Sequence, residues 1–95
     1  MKPTNIVDAF LKQAADDERL LPSHVSLFMA MFYYSPDQTP EKIFQASRKK
    51  LMRFSRIKSI VTYHKCMKEL VAYGYVYYKP SYDPQRASSL ALLIH

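Results

Sequence analysis

The chain has 95 residues, 48% hydrophobic and 23% charged, with a formal net charge of +6. It is too short for two cores and too apolar for disorder, so one domain is expected, burying roughly 60 to 65% of its unfolded surface. That leaves almost no room for an enzyme with its own cofactor domain, and the single Cys66 excludes an internal disulfide and fits a reducing cytoplasm.

Residues 1 to 20 carry charges throughout and no small-residue cleavage site, so they do not read as a signal peptide. Thr4 is a good N-cap for a first helix over Asn5 to Asp17, with Ile6, Val7, Phe10, Leu11 and Ala14 forming one apolar stripe. The acidic run Asp16, Asp17, Glu18 opposes the helix dipole and is expected to fray its end. Residues 1–21 are thus an N-terminal helical unit.

Pro22 and Ser23 restart the chain, and Ser23 to Tyr34 is apolar nearly all round, as in a helix central to a core or shared with a second subunit. Its longest greasy stretch, Val25 to Tyr34, is ten residues including Ser26, about half of what a bilayer core needs. No membrane partner is expected. Ser35 to Pro40 reads as a loop, and Lys42 to Ala46 as an irregular link with a strand of two or three residues, completing a 22–46 unit.

Ser47 caps a short helix, SRKKLMRF, with Leu51 and Phe54 on its apolar side. Ser55 to Lys58 is a connector with Ile57 turned inward, and Ser59 caps a longer helix to Tyr73 that stops at Gly74, the only glycine. The expected core stripe is Ile60, Tyr63, Met67, Leu70 and Val71, opposite Val61, Thr62, Lys65, Lys68 and Ala72. After this 47–73 unit, the 74–95 unit reads as a hairpin: strands over Tyr75 to Lys79 and Ser89 to Ile94, joined by a polar loop from Pro80 to Ser88. The fold class is mainly α with a small β hairpin.

Charge divides along this order. Residues 1 to 41 carry three basic and six acidic side chains, a balance of −3, whereas residues 42 to 95 carry eleven basic against Glu69 and Asp83, a balance of +9. Such asymmetry within one small domain is the footprint of a polyanion-binding face.

The segment SRKKLMRFSRIKSIVTYHKCMKELVAYGYVYYKP, with Leu70 four residues before Gly74 and a strand after it, resembles the winged helix-turn-helix superfamily of bacterial DNA-binding proteins. About half the chain, Ser47 to Ile94, carries the resemblance; the helix after Thr4 is extra to it. The similarity is greatest to small regulators, excision factors and replication-initiation proteins of bacterial mobile elements, phages and plasmids. It implies sequence-specific binding of double-stranded DNA and a cytoplasmic, nucleoid-associated protein, read by the second helix of the pair. Because winged helices also serve as protein-binding modules, assembly into a recombination or replication-initiation complex is the alternative.

A reader helix of about fifteen residues is roughly 22 Å long, and its first half fits a major groove about 12 Å wide. Lys58, Ser59, Val61, Thr62 and Lys65 are the expected base contacts, Lys65 toward guanine and the Val61 and Thr62 methyls toward thymine. His64 stands at the edge of that face, divided between base contact and packing beside Tyr63. Arg48, Lys49, Arg53, Arg56 and Lys68 are expected on phosphates, and Lys79, Tyr82 and Arg86 of the wing on backbone or minor groove. Tyr75, Tyr77 and Tyr78 read as a strand on a small core, with a stacking platform for single strands as the other possibility.

Catalysis and cofactors find no foothold. His24, His64, Cys66 and His95 lack metal-ligand spacing, and one glycine cannot make a phosphate-cradling loop. A homodimer through Ile6, Phe10 and Leu11 would set half-sites about 34 Å apart, although a domain of this size can bury that stripe itself.

Overall fold

The computed structural model describes residues 5–36, 42–80 and 87–93. Its elements are α1 (Asn5–Asp16), α2 (Pro22–Tyr34), β1 (Phe44–Ala46), α3 (Arg48–Ser55), α4 (Ile60–Ala72), β2 (Val76–Lys79) and β3 (Ser88–Leu92). The class is α+β: four helices and a small three-stranded antiparallel sheet of order β1-β3-β2. Thr4, expected to cap α1, lies outside the described residues.

α2 is the hub. It packs against α1, α3, α4 and β3, which is why its sequence is apolar on more than one side, and it buries Leu27, Phe28, Ala30 and Met31. Phe10 of α1 stacks on Phe28, with ring centroids 3.7 Å apart and planes 4° from parallel. The helix starts at Pro22, one residue earlier than expected, with Leu21 as its N-cap. Proline suits that position because its missing N–H would have no helical partner there. A leucine side chain cannot cap, so the helix start is closed from inside instead: Nδ1 of the buried His24 accepts the Leu21 N–H at 2.8 Å.

Both later helices end alike. The N–H of Gly74 donates to Val71 O and that of Tyr75 to Leu70 O, the paired bonds that form when the residue after a helix turns left-handed, as Gly74 does at φ 86°. At the end of α3, Arg56 and Ile57 donate to Arg53 O and Met52 O in the same way. There the left-handed residue is Arg56, φ 63°, the one non-glycine with positive φ among the described residues.

The sheet is more than a hairpin. β2 and β3 pair antiparallel with Val76 opposite Leu92 and Lys79 opposite Ser89, and β1 adds to the other edge of β3, Phe44 opposite Leu90. Leu90 therefore lies between Phe44 and Tyr78, and the face formed by Phe44, Ala46, Val76, Leu90 and Leu92 joins the core.

Three assignments need correction. Ile60 and Val71, expected in the core, are 44% and 40% exposed; the inner face of α4 is Tyr63, Cys66, Met67 and Leu70. A stripe at positions 63, 66, 67 and 70 is narrow, and Ile60 and Val71 fall just outside it. Phe54, expected beside Leu51, is 42% exposed, because Leu51 and the half-buried Met52 face the core. The acidic end of α1 is organised rather than frayed. Asp17 receives the Arg19 guanidinium through two bonds of 2.8 Å and the Tyr75 hydroxyl at 2.8 Å, while the guanidinium lies over the Tyr73 ring, 4.1 Å from its centroid. Among the described residues, no helix is long and apolar enough to cross a membrane.

Candidate nucleic-acid interface

Ser47 starts α3 by accepting the Lys50 N–H on its hydroxyl at 3.2 Å, and Ser59 starts α4 by accepting that of Thr62 at 3.3 Å. Each helix thus begins at a fixed residue, which fixes the direction of every side chain after it. The first turn of α3 holds Arg48, Lys49 and Lys50 and no acid. Cations at the positive end of a helix dipole are unfavourable, so these three side chains do not stabilise the start of α3.

Between α3 and the start of α4 runs a groove of about 580 Å³. Arg48, Lys49, Arg53, Arg56 and Lys58 stand around it, over a floor of Met52, Ile57 and Ile60. The exposed Ile60 is accordingly groove lining rather than core. Ile57 is buried and anchors the connector, while Ser26 of α2 donates to Ser55 O at 2.6 Å and holds the end of α3 in place. The left-handed turn at Arg56 reverses the chain there and leaves its side chain at the groove edge.

All eight cations of this region, Arg48, Lys49, Lys50, Arg53, Arg56, Lys58, Lys65 and Lys68, are exposed, and none forms an ion pair among the described residues. Glu69, the nearest acid in sequence, is turned to other work: its carboxylate meets His24 Nε2 at 3.0 Å and the Tyr73 hydroxyl at 3.4 Å. Because Nδ1 of His24 is an acceptor toward Leu21, Nε2 carries the proton and donates to Glu69.

The expected base-contact residues share one exposed surface. Val61 is 74% exposed and Thr62 and Lys65 stand beside it on α4, with Lys58 and Ser59 exposed just before the helix. His64 is exposed rather than half-buried, and its ring meets Tyr63 edge-on at 5.4 Å. Cys66 turns the other way, donating its thiol to the Ser23 hydroxyl at 3.2 Å, so it does not converge with His64. Among the described residues no group of three or more His, Cys, Asp or Glu is arranged to hold a metal ion.

Of the three residues expected on DNA backbone or minor groove beyond α4, Lys79 is exposed at the end of β2, whereas Tyr82 and Arg86 lie outside the described residues. Tyr75, Tyr77 and Tyr78 do not make a common platform. Tyr75 is buried just before β2 begins; within the strand, alternation turns Tyr77 outward and leaves Tyr78 half-buried and pointing toward Ser88. The stripe proposed for a dimer is also divided: Phe10 is fully buried in this chain's own core and Ile6 packs against that core, which leaves Leu11 as the exposed member. The Phe10 side chain is therefore not at the surface of this chain.

One exposed feature escaped sequence reasoning. Tyr33 and Tyr34 at the end of α2 cluster with Phe54 of α3, Tyr33 and Phe54 stacked with centroids 4.8 Å apart. The signal was present in α2, whose apolar residues exceed what one face can bury. No family model matches the chain, and no curated protein or solved structure has significant similarity to it.

Proposed function

We propose that the protein binds double-stranded DNA sequence-specifically, with α3 and the connector on phosphates and the first half of α4 in the major groove. The observation that carries this reading is the set of eight exposed cations, free of acidic partners among the described residues, gathered on α3, its connector and α4. Phosphate contacts position a protein on DNA and contacts to base edges in the groove discriminate sequence. The same division exists here between the cationic groove and the Val61, Thr62, Lys65 surface.

The arrangement supports a winged helix-turn-helix: after α2 come a short strand, two helices joined by a tight connector, and two strands, with β3 between β1 and β2. On this reading α1 is an N-terminal addition, β2 and β3 are the wing, and the protein is a small cytoplasmic regulator or accessory factor of a mobile element.

The test is an anisotropy titration at several salt concentrations against the DNA upstream of the protein's own gene, with a scrambled duplex beside it. If about six phosphates are engaged per subunit, log affinity falls with log salt with a slope near −5. Arg53→Ala weakens both duplexes alike and flattens the slope by about one, whereas Lys65→Ala erodes the preference for the specific duplex. Salt-independent affinity, or none, overturns the reading.

A further inference from the structure

A second concavity of about 490 Å³ adjoins the cationic groove, where the end of α2 meets the end of α3. Its wall is aromatic. The rings of Tyr33 and Phe54 lie 21° from parallel, and Tyr34 meets them edge-on at 4.9 and 6.2 Å. Although stacked on each other, Tyr33 stays 59% exposed and Phe54 42%. These rings belong to α2 and α3 and not to the α4 surface assigned to the duplex, and a contiguous exposed aromatic patch is the kind of surface that takes a binding partner.

The rest of the wall is Arg53 and Arg56, which line the cationic groove as well. The two concavities therefore share one pair of guanidinium groups, and neither is lined by an acid. A nucleic acid strand held at its phosphates by these arginines has the groove on one side and ring faces on the other. A nucleotide offers the complementary pair, a flat π face next to a negative charge, and stacking on aromatic rings accepts any base.

We propose that this aromatic shelf stacks an unpaired nucleobase, so that the protein prefers a duplex carrying a single-stranded tail to the same duplex with a blunt end. The proposal rests on the duplex-binding reading, and the experiment separates the two.

The full chain is titrated with a blunt duplex and with the same duplex bearing a short tail at one end, 5′ or 3′, with 2-aminopurine at the first unpaired position. A tail of one polarity binds about tenfold more tightly than the blunt duplex, the gain expected from about one stacked base, and its 2-aminopurine is quenched. Tyr33→Ser abolishes the gain and the quenching while blunt-duplex affinity is unchanged; Tyr33→Phe keeps both. Phe54→Ser behaves as Tyr33→Ser does, and if it fails to fold, the Tyr33 pair still decides. Equal affinity for tailed and blunt duplexes overturns the proposal and leaves the duplex reading standing, whereas failure to bind the blunt duplex removes the reading itself. An acidic, tyrosine-containing peptide that binds the wild type but not Tyr33→Ser, with no gain from any tail, also overturns it and assigns the shelf to a protein partner.

Discussion

The Tyr75 hydroxyl donates to the Asp17 carboxylate at 2.8 Å across 58 positions of sequence, tying the chain that leaves α4 to the link between α1 and α2. Arg19 beside Asp17, and after it the Tyr75 hydroxyl, hold that carboxyl well below the usual carboxylate range. Burial first, and the Asp17 bond second, push the Tyr75 phenol up to about 12. Tyr75→Phe is expected to cost about 1 kcal/mol, the net worth of a hydrogen bond of this kind. The contribution of Asp17 is complete above its ordinary value of 3.8 and is lost as pH falls below it. That of Tyr75 is complete below 10.0 and is lost as pH rises toward about 12. Thermal melts across pH check both: the difference between wild type and Tyr75→Phe should shrink above pH 10, and a constant difference there refutes the assignment.

Arg56 occupies a left-handed position that costs a non-glycine residue roughly 1–2 kcal/mol. Arg56→Gly is expected to raise stability by about 0.5 to 1 kcal/mol, less than the full strain because glycine is freer in the unfolded chain. The same variant should bind every duplex several-fold more weakly. Denaturant melts and anisotropy on one preparation separate the two effects. Lower stability in Arg56→Gly would show that the arginine side chain supports the turn.

Tyr63 is fully buried, and its hydroxyl has no hydrogen-bond partner among the described residues. Burial pushes this phenol up from its ordinary value. An orphaned buried hydroxyl costs about 1–3 kcal/mol of desolvation. Tyr63→Phe is therefore expected to leave stability unchanged or raise it by up to about 1 kcal/mol in equilibrium denaturation. A loss larger than that gives the hydroxyl a partner outside the described residues.

The starts of α3 and α4 and the stop of α4 were legible because each depends on a few adjacent residues: Ser47, Ser59 and Gly74 do what their local chemistry dictates, whereas the left-handed end of α3 at Arg56 carries no such signal. The inner face of α4 was partly legible, with Tyr63, Met67 and Leu70 in place and Ile60 and Val71 misjudged at its margins. Contacts between distant segments were not. Nothing local to Asp17 indicates Tyr75, and nothing local to His24 indicates Glu69, because those pairs depend on how α2 seats against its neighbours. The cationic surface was read from charge alone, since unpaired lysines and arginines stay at the surface whatever the packing. The aromatic shelf was missed for the converse reason: Tyr33 and Phe54 look like core until α2 has filled its inner face with Leu27, Phe28 and Met31.

The N-terminal helix is expected to serve this chain's own core. Phe10→Ala removes a ring stacked on Phe28 and should cost about 3–5 kcal/mol, whereas Leu11→Ala, at a position 47% exposed, should stay within about 0.5. Melting temperature should not change with protein concentration. A midpoint that rises with concentration and falls with Leu11→Ala would restore a dimer through the exposed side of α1.

The position of β3 between β1 and β2 matters while the chain is being made. A nascent polypeptide that has emerged only as far as Lys79 already contains all four helices of the described residues, yet β1 and β2 still await the neighbour they will share. Sheet formation is therefore deferred until residues 88–92 clear the ribosome, and until then Phe44 and Val76 lack the strand that seals them. The β2–β3 pair is therefore completed last, and the sheet side of the core closes only after synthesis has passed β3.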